Sequence, residues 1–142
     1  MANHLAFSSR AIIVACLCVT WIGCYGKPAG FPDLAEVEGT VTVDGKPVSN
    51  LAVAFIPEGG RPSLGITDEF GHYQLSYFRG ETGAVLGPHK VMITTNQETA
   101  PPPGYRDPIP VQYNLKSTLT AEVQDGENVI DFELESKSRR RR

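Results

Sequence analysis

The chain has 142 residues, enough for one ordinary domain. Its 13 Lys and Arg against 16 Asp and Glu exclude a basic nucleic-acid binder, and the net charge of −3 is unevenly spread. Residues 33 to 135 carry all 16 acids against six bases (Lys46, Arg61, Arg79, Lys90, Arg106 and Lys116), a local charge of −10, whereas residues 136 to 142 carry +5 from Lys137 and Arg139 to Arg142. A domain this acidic repels phosphate backbones.

Cys16, Cys18 and Cys24 are the only cysteines, so nothing beyond residue 24 supports a disulfide or Cys-zinc framework. A polar stretch with His4 and Arg10 precedes the uncharged apolar run Ala11 to Ile22 and the small Gly23, the three parts of a secretory signal. Those 12 residues reach only ~18 Å as a helix, short of the ~30 Å hydrocarbon core, which argues against a permanent span. The run ends in Trp21-Ile22-Gly23-Cys24, which resembles the bacterial lipobox, with Trp21 where Leu is usual. The resemblance implies that the Cys24 thiol accepts diacylglycerol and that acyl chains anchor the protein; the absence of Asp after Cys24, where Tyr25 stands, favours an outer membrane. Ile13-Val14-Ala15-Cys16 has the same local pattern but leaves too few apolar residues behind Arg10 for a signal core. The alternative is an ordinary signal peptide cut near Gly26 or Ala29.

After Cys24, the Gly- and Pro-rich Tyr25 to Pro32 reads as a tether. From there the apolar period is two. Val37, Gly39, Val41 and Val43 alternate with polar residues and predict a half-buried strand, closed by the turn Asp44-Gly45-Lys46-Pro47. Leu51 to Ile56 is apolar at every position and predicts a central strand covered on both faces. Leu64 to Thr67, the turn Asp68 to Gly71, and Tyr73, Leu75 and Tyr77 form a hairpin pattern. A further strand is expected at Lys90 to Thr95. Then comes the irregular, five-proline stretch Asn96 to Asn114, and two last strands follow through Leu119 to Val123 and Ile130 to Leu134, joined by Asp125-Gly126. Seven strands with frequent turn signals predict an all-β, seven-stranded antiparallel Greek-key sandwich over residues 35 to 135. It follows a signal peptide (1 to 23) and a tether (24 to 34) and precedes a disordered basic tail (136 to 142).

Three stretches carry a family resemblance: Val37-Glu-Gly-Thr-Val-Thr-Val-Asp-Gly-Lys-Pro-Val, Ala52-Val-Ala-Phe-Ile-Pro and Gly65-Ile-Thr-Asp-Glu-Phe-Gly-His-Tyr-Gln-Leu. With Gly87 to Ile93 and the closing Asp125 to Leu134, they resemble the carboxypeptidase-regulatory-like family of prealbumin-like sandwiches, as found in small planctomycete lipoproteins. The resemblance implies fold and surface location and leaves activity open, because such domains serve as accessory, spacer or binding modules.

Chemistry-bearing residues are sparse. His72 and His89 are expected at surface or edge positions without metal spacing, and Ser63 lacks a G-x-S-x-G setting. Phe78-Arg79-Gly80-Glu81 lacks the Tyr and Ser of the signature carried by transthyretin-like hydrolases. The acids Asp44, Asp68, Glu69, Asp125 and Glu127 fall in turns and form no calcium loop. No catalytic residue, metal or cofactor is expected. Tyr105 and Tyr113, on the proline-rich stretch, are the candidate ligand contacts. The expectation is therefore a lipid-anchored envelope protein, on the periplasmic or outer face of a membrane, displaying a non-catalytic structural or interaction module. Its partners would be the membrane and an envelope protein or glycan, with no nucleic acid. The alternative is a secreted glycan- or protein-binding module, and a cryptic hydrolase ranks last.

Overall fold

The computed structural model describes residues 30–97, 102–104 and 107–136; Cys24, Tyr105 and the Arg139 to Arg142 tail lie outside the described residues. Among the described residues every strand falls within the unit Pro32–Arg142. In chain order they are β1 (Leu34–Val43), β2 (Lys46–Pro47), β3 (Leu51–Pro57), β4 (Ser63–Ile66) and β5 (His72–Gln74), then β6 (Ala84–Val85), β7 (Gly87–Thr95), β8 (Leu119–Val123), β9 (Glu127–Val129) and β10 (Phe132–Leu134). The fold is all-β, and each of the seven expected stretches contains a strand; the short β2, β6 and β9 are additions.

β1 is the spine of one sheet. On one side it pairs antiparallel with β6, β5 and β2, matching Ala35 to Ala84, Gly39 to Tyr73 and Val43 to Lys46. On the other side it runs parallel to β9 and β10, matching Val37 to Asn128 and Val41 to Phe132. The parallel pairing departs from the expected all-antiparallel arrangement, because a chain that returns to its own first strand from the far end is free to approach in either direction. The second sheet has the order β4-β3-β7-β8 and is antiparallel throughout.

The period-2 pattern sends Val37 and Val41 of β1, Val53 and Phe55 of β3, and Val91 and Ile93 of β7 into one shared core, all fully buried. Each such side chain contributes roughly 1.5–3 kcal/mol on burial. At the centre the Phe55 ring lies 6.4 Å from Tyr73 and 6.1 Å from Phe132, so aromatics from the two sheets interlock.

Two further sequence expectations change. The closing strand expected from Ile130 begins only at Phe132, as β10, and the additional β9 ends at Val129 just before it, with both keeping the same register offset from β1. At the break the Asp131 carboxylate accepts the Thr40 N–H at 2.7 Å, and the Ile130 N–H donates to the Glu38 carbonyl at 2.8 Å. A side-chain oxygen thus takes the place of a ladder bond. The second change concerns Leu51 to Ile56: Leu51, Val53 and Phe55 are buried, but Ala52, Ala54 and Ile56 on the outward face are only half-buried. Alanine carries too little apolar surface for its presence to fix which face is covered.

Candidate functional site

The polar side chains of the Gly65 to Leu75 motif are spent on the fold. The Thr67 hydroxyl donates to the Val48 carbonyl at 2.8 Å and accepts the Leu51 N–H at 2.9 Å, fixing the entry to β3 from a buried position. Asp68 Oδ1 accepts the N–H groups of Phe70 and His72, both at 2.9 Å, which closes the turn into β5. Tyr73 donates its phenolic proton to the Ile130 carbonyl at 2.7 Å. Burial, and secondarily the charge of Asp131, hold that phenol above the ordinary tyrosine range. The Asp44 carboxylate accepts the Ser136 N–H at 3.1 Å, tying the β1–β2 turn to the end of β10.

Nor does the structure assemble a nucleophile and base. His89 is buried on a strand paired on both sides, not at the surface or edge position expected: its Nδ1 donates to the Gly87 carbonyl at 2.9 Å, and its ring centroid lies 5.7 Å from that of Phe55. Ser63 is buried as well. Ser63 pairs with Phe55 on one side of β3 and His89 pairs with Pro57 on the other, which places them two strands and two residues, about 12 Å, apart. Ser63 Oγ and His89 Nε2 have no hydrogen-bond partner among the described residues, so each is an unsatisfied polar atom in the core. His72 is exposed, its Nε2 3.7 Å from the Glu38 carboxylate, and a contact so exposed is worth little in solvent.

The segment between β7 and β8 is stitched down from both ends. Asp107 accepts the Thr95 N–H at 3.0 Å and the Ile109 N–H at 2.8 Å; Asn114 donates to the Ile109 carbonyl at 3.0 Å; and the Ser117 hydroxyl donates to the Val91 carbonyl. Tyr113 of this segment is half-buried against the core, and its hydroxyl accepts the Glu135 N–H at 3.2 Å. Its polar end is therefore used internally. Among the described residues of the segment, the exposed large apolar side chains are Val111 and Leu115, which the sequence did not single out.

A shallow groove of about 150 Å³ lies between β1, β5 and β9, lined by Glu36, Glu38, Gln74, Glu127, Asn128 and Val129. Asn128 is already engaged there, donating to the Glu36 and Gln124 carbonyls at 3.1 and 2.9 Å. Among the described residues no group of three or more His, Cys, Asp or Glu is placed to hold a metal ion, and no helix is long and apolar enough to cross a membrane.

A different surface emerges from the other sheet. The outward positions of β4, β3 and β7 align in rows, Ile66-Ala52-Thr94 and Leu64-Ala54-Met92, with Leu64 55% and Ile66 56% exposed. Beside the β4 edge the exposed Phe78 ring is covered by two guanidinium groups, Arg61 at 4.3 Å and Arg79 at 5.2 Å from its centroid. Arg79 holds a left-handed backbone (φ 64) within the 3-10 turn Phe78–Gly80. The sequence signal for this cluster was faint: two arginines 18 positions apart meet one ring only because Leu64 bridges to Ser76.

No family model matches the chain, and no curated protein matches it. Two solved structures are similar to it. One is a DUF3823 family protein from Bacteroides ovatus ATCC 8483, at 18% identity and a TM-score of 0.45, covering 71% of this chain and 44% of that one. The other is a DUF3823 family protein from Parabacteroides merdae ATCC 43184, at 12% identity and a TM-score of 0.41, covering 72% of this chain and 46% of that one. The chain thus spans less than half the length of either.

Proposed function

We propose that this is a lipid-anchored cell-envelope protein, acylated on Cys24, whose sandwich is a non-catalytic structural or interaction module. The observation that carries the reading is the lipobox-like Trp21-Ile22-Gly23-Cys24 at the end of a signal-length apolar run, ahead of a domain without cysteine. The likeness of its turn motifs to carboxypeptidase-regulatory-like domains supports it further. So does the way Thr67, Asp68 and Tyr73, the motif's most chemically capable residues, are engaged in holding turns and strands together.

Metabolic labelling with palmitate tests the anchor. Wild type takes up label, globomycin causes the unprocessed form to accumulate, and Cys24→Ser takes up none; an unlabelled wild type, or label that survives Cys24→Ser, overturns it. A second reading, a secreted binder of glycan or protein, is favoured by Val111 and Leu115, 58% and 82% exposed on the segment that holds Tyr113. It predicts binding on a glycan array that falls with Tyr105→Ala or Leu115→Asp.

A further inference from the structure

The two outer faces of the sandwich have opposite chemistry. The sheet built on β1 turns Glu36, Glu38, Glu127 and Glu133 outward, all exposed. The strands of the other sheet hold one acid, Glu122, and one base, Lys90, and their outward rows are apolar: Ile66-Ala52, Leu64-Ala54-Met92 and Ile56 beside Lys90. Arg61 and Arg79 stand at the β4 edge of these rows, stacked on Phe78, so three of the six bases in residues 33 to 135 gather around this face. Glu58, Glu81 and Glu122 balance them. This face is close to neutral, while the opposite one is strongly negative.

We propose that the β4-β3-β7 face is the surface by which the domain lies on an anionic phospholipid bilayer, with Ile66, Leu64 and Met92 at the headgroup boundary and the Arg61-Phe78-Arg79 stack meeting lipid phosphates. The proposal rests on the anchored reading above. Three considerations select a bilayer over a soluble partner. The acidic face is repelled by an anionic surface, leaving the neutral apolar face to approach it. From strand spacing and rise the apolar rows cover only about 14 by 14 Å, roughly a quarter of the ~800 Å² per partner that a stable complex or dimer needs. A contact that small is weak on its own, but Leu34, the first residue of β1, lies only ten positions after Cys24, a reach of at most about 35 Å. A tether this short gives an effective concentration in the millimolar range, at which weak docking is populated. Arginine over an aromatic ring suits the headgroup region, since the guanidinium keeps its donors for phosphate while the ring covers apolar surface.

The test uses the full chain with Cys16→Ser, Cys18→Ser and Trp21→Phe, coupled through the Cys24 thiol to a maleimide lipid in phosphatidylglycerol–phosphatidylcholine vesicles. Attachment then does not depend on acylation in cells. One reporter tryptophan is placed at Ile66→Trp or, on the acidic sheet, at Val129→Trp, which is 70% exposed. Leu64→Trp serves in place of Ile66→Trp if that variant does not unfold like its parent. With brominated phospholipid in the vesicles, quenching at Ile66→Trp is expected to exceed that at Val129→Trp at least about twofold, and to fall to the Val129→Trp level with Arg61→Glu and Arg79→Glu together. Equal quenching of the two reporters, no quenching at Ile66→Trp, or a concentration-dependent blue shift at Ile66→Trp without lipid, which marks a second copy on this face, each overturns docking. Loss of palmitate label in cells with asymmetric quenching on vesicles retires the acylation reading alone.

Discussion

The carbonyl oxygen of Ile130 lies 1.9 Å from the point a β-carbon would occupy on Gly39. Gly39 sits at an inward position of β1, between Val37 and Val41, where alternation alone would place another apolar side chain. That space is taken by the break between β9 and β10 and by the Tyr73 ring, 3.1 Å from the same point. Gly39→Ala therefore forces the closing strands off β1. We expect it to cost at least about 3 kcal/mol, or to prevent folding. Gly59→Ala, with open space around it, should stay within about 0.5 kcal/mol of wild type. Urea unfolding of the pair checks both.

The hydrogen bond from Tyr73 to Ile130 predicts the effect of removing the phenol. Tyr73→Phe keeps the ring against Phe55 and Phe132 but strips the Ile130 carbonyl of its 2.7 Å donor. A loss of about 1–2 kcal/mol follows, read as a lower urea midpoint with unchanged slope.

The same phenol gives a pH dependence. Its folded-state pKa is raised, by burial first and by Asp131 second, above the unfolded value of 10.0. The folded chain therefore keeps a proton that the unfolded chain releases. Stability from this group is fully present below pH 10 and falls as pH climbs toward the folded-state value, by up to about 1.4 kcal/mol per pH unit. Unfolding at pH 9 and pH 11 should show the fall, and Tyr73→Phe should reduce it.

Thr67 offers a test of the turn motif. Thr67→Val removes the hydroxyl that serves both Leu51 and Val48 and leaves two backbone groups without it, at a cost of about 2 kcal/mol, with faster hydrogen exchange at the Leu51 amide. Thr67→Ser should retain most of the stability.

Ser63 tests the opposite sign. Its buried hydroxyl has no partner among the described residues, so Ser63→Ala removes an unsatisfied group at little loss of volume and should stabilise by about 1 kcal/mol. A destabilised Ser63→Ala would show that the hydroxyl is bonded in solution.

The sequence by itself determined the local grammar of this domain. Alternation placed Val37, Val41, Val91 and Ile93 inward, and Asp44-Gly45 and Asp68 to Gly71 marked turns, because strand period and turn conformation are set by neighbours along the chain. Only the tertiary structure decided what depends on partners nearly a hundred residues away. Asp131 replaces a ladder bond at Thr40, the last strands run parallel to the first, and Gly39 is empty so that Ile130 can approach. The candidate surface was hidden for the same reason. An apolar run such as Leu51 to Ile56 does not say whether its second face is covered, and the meeting of Arg61, Phe78 and Arg79 is made by the Leu64–Ser76 bridge rather than by any spacing in the chain.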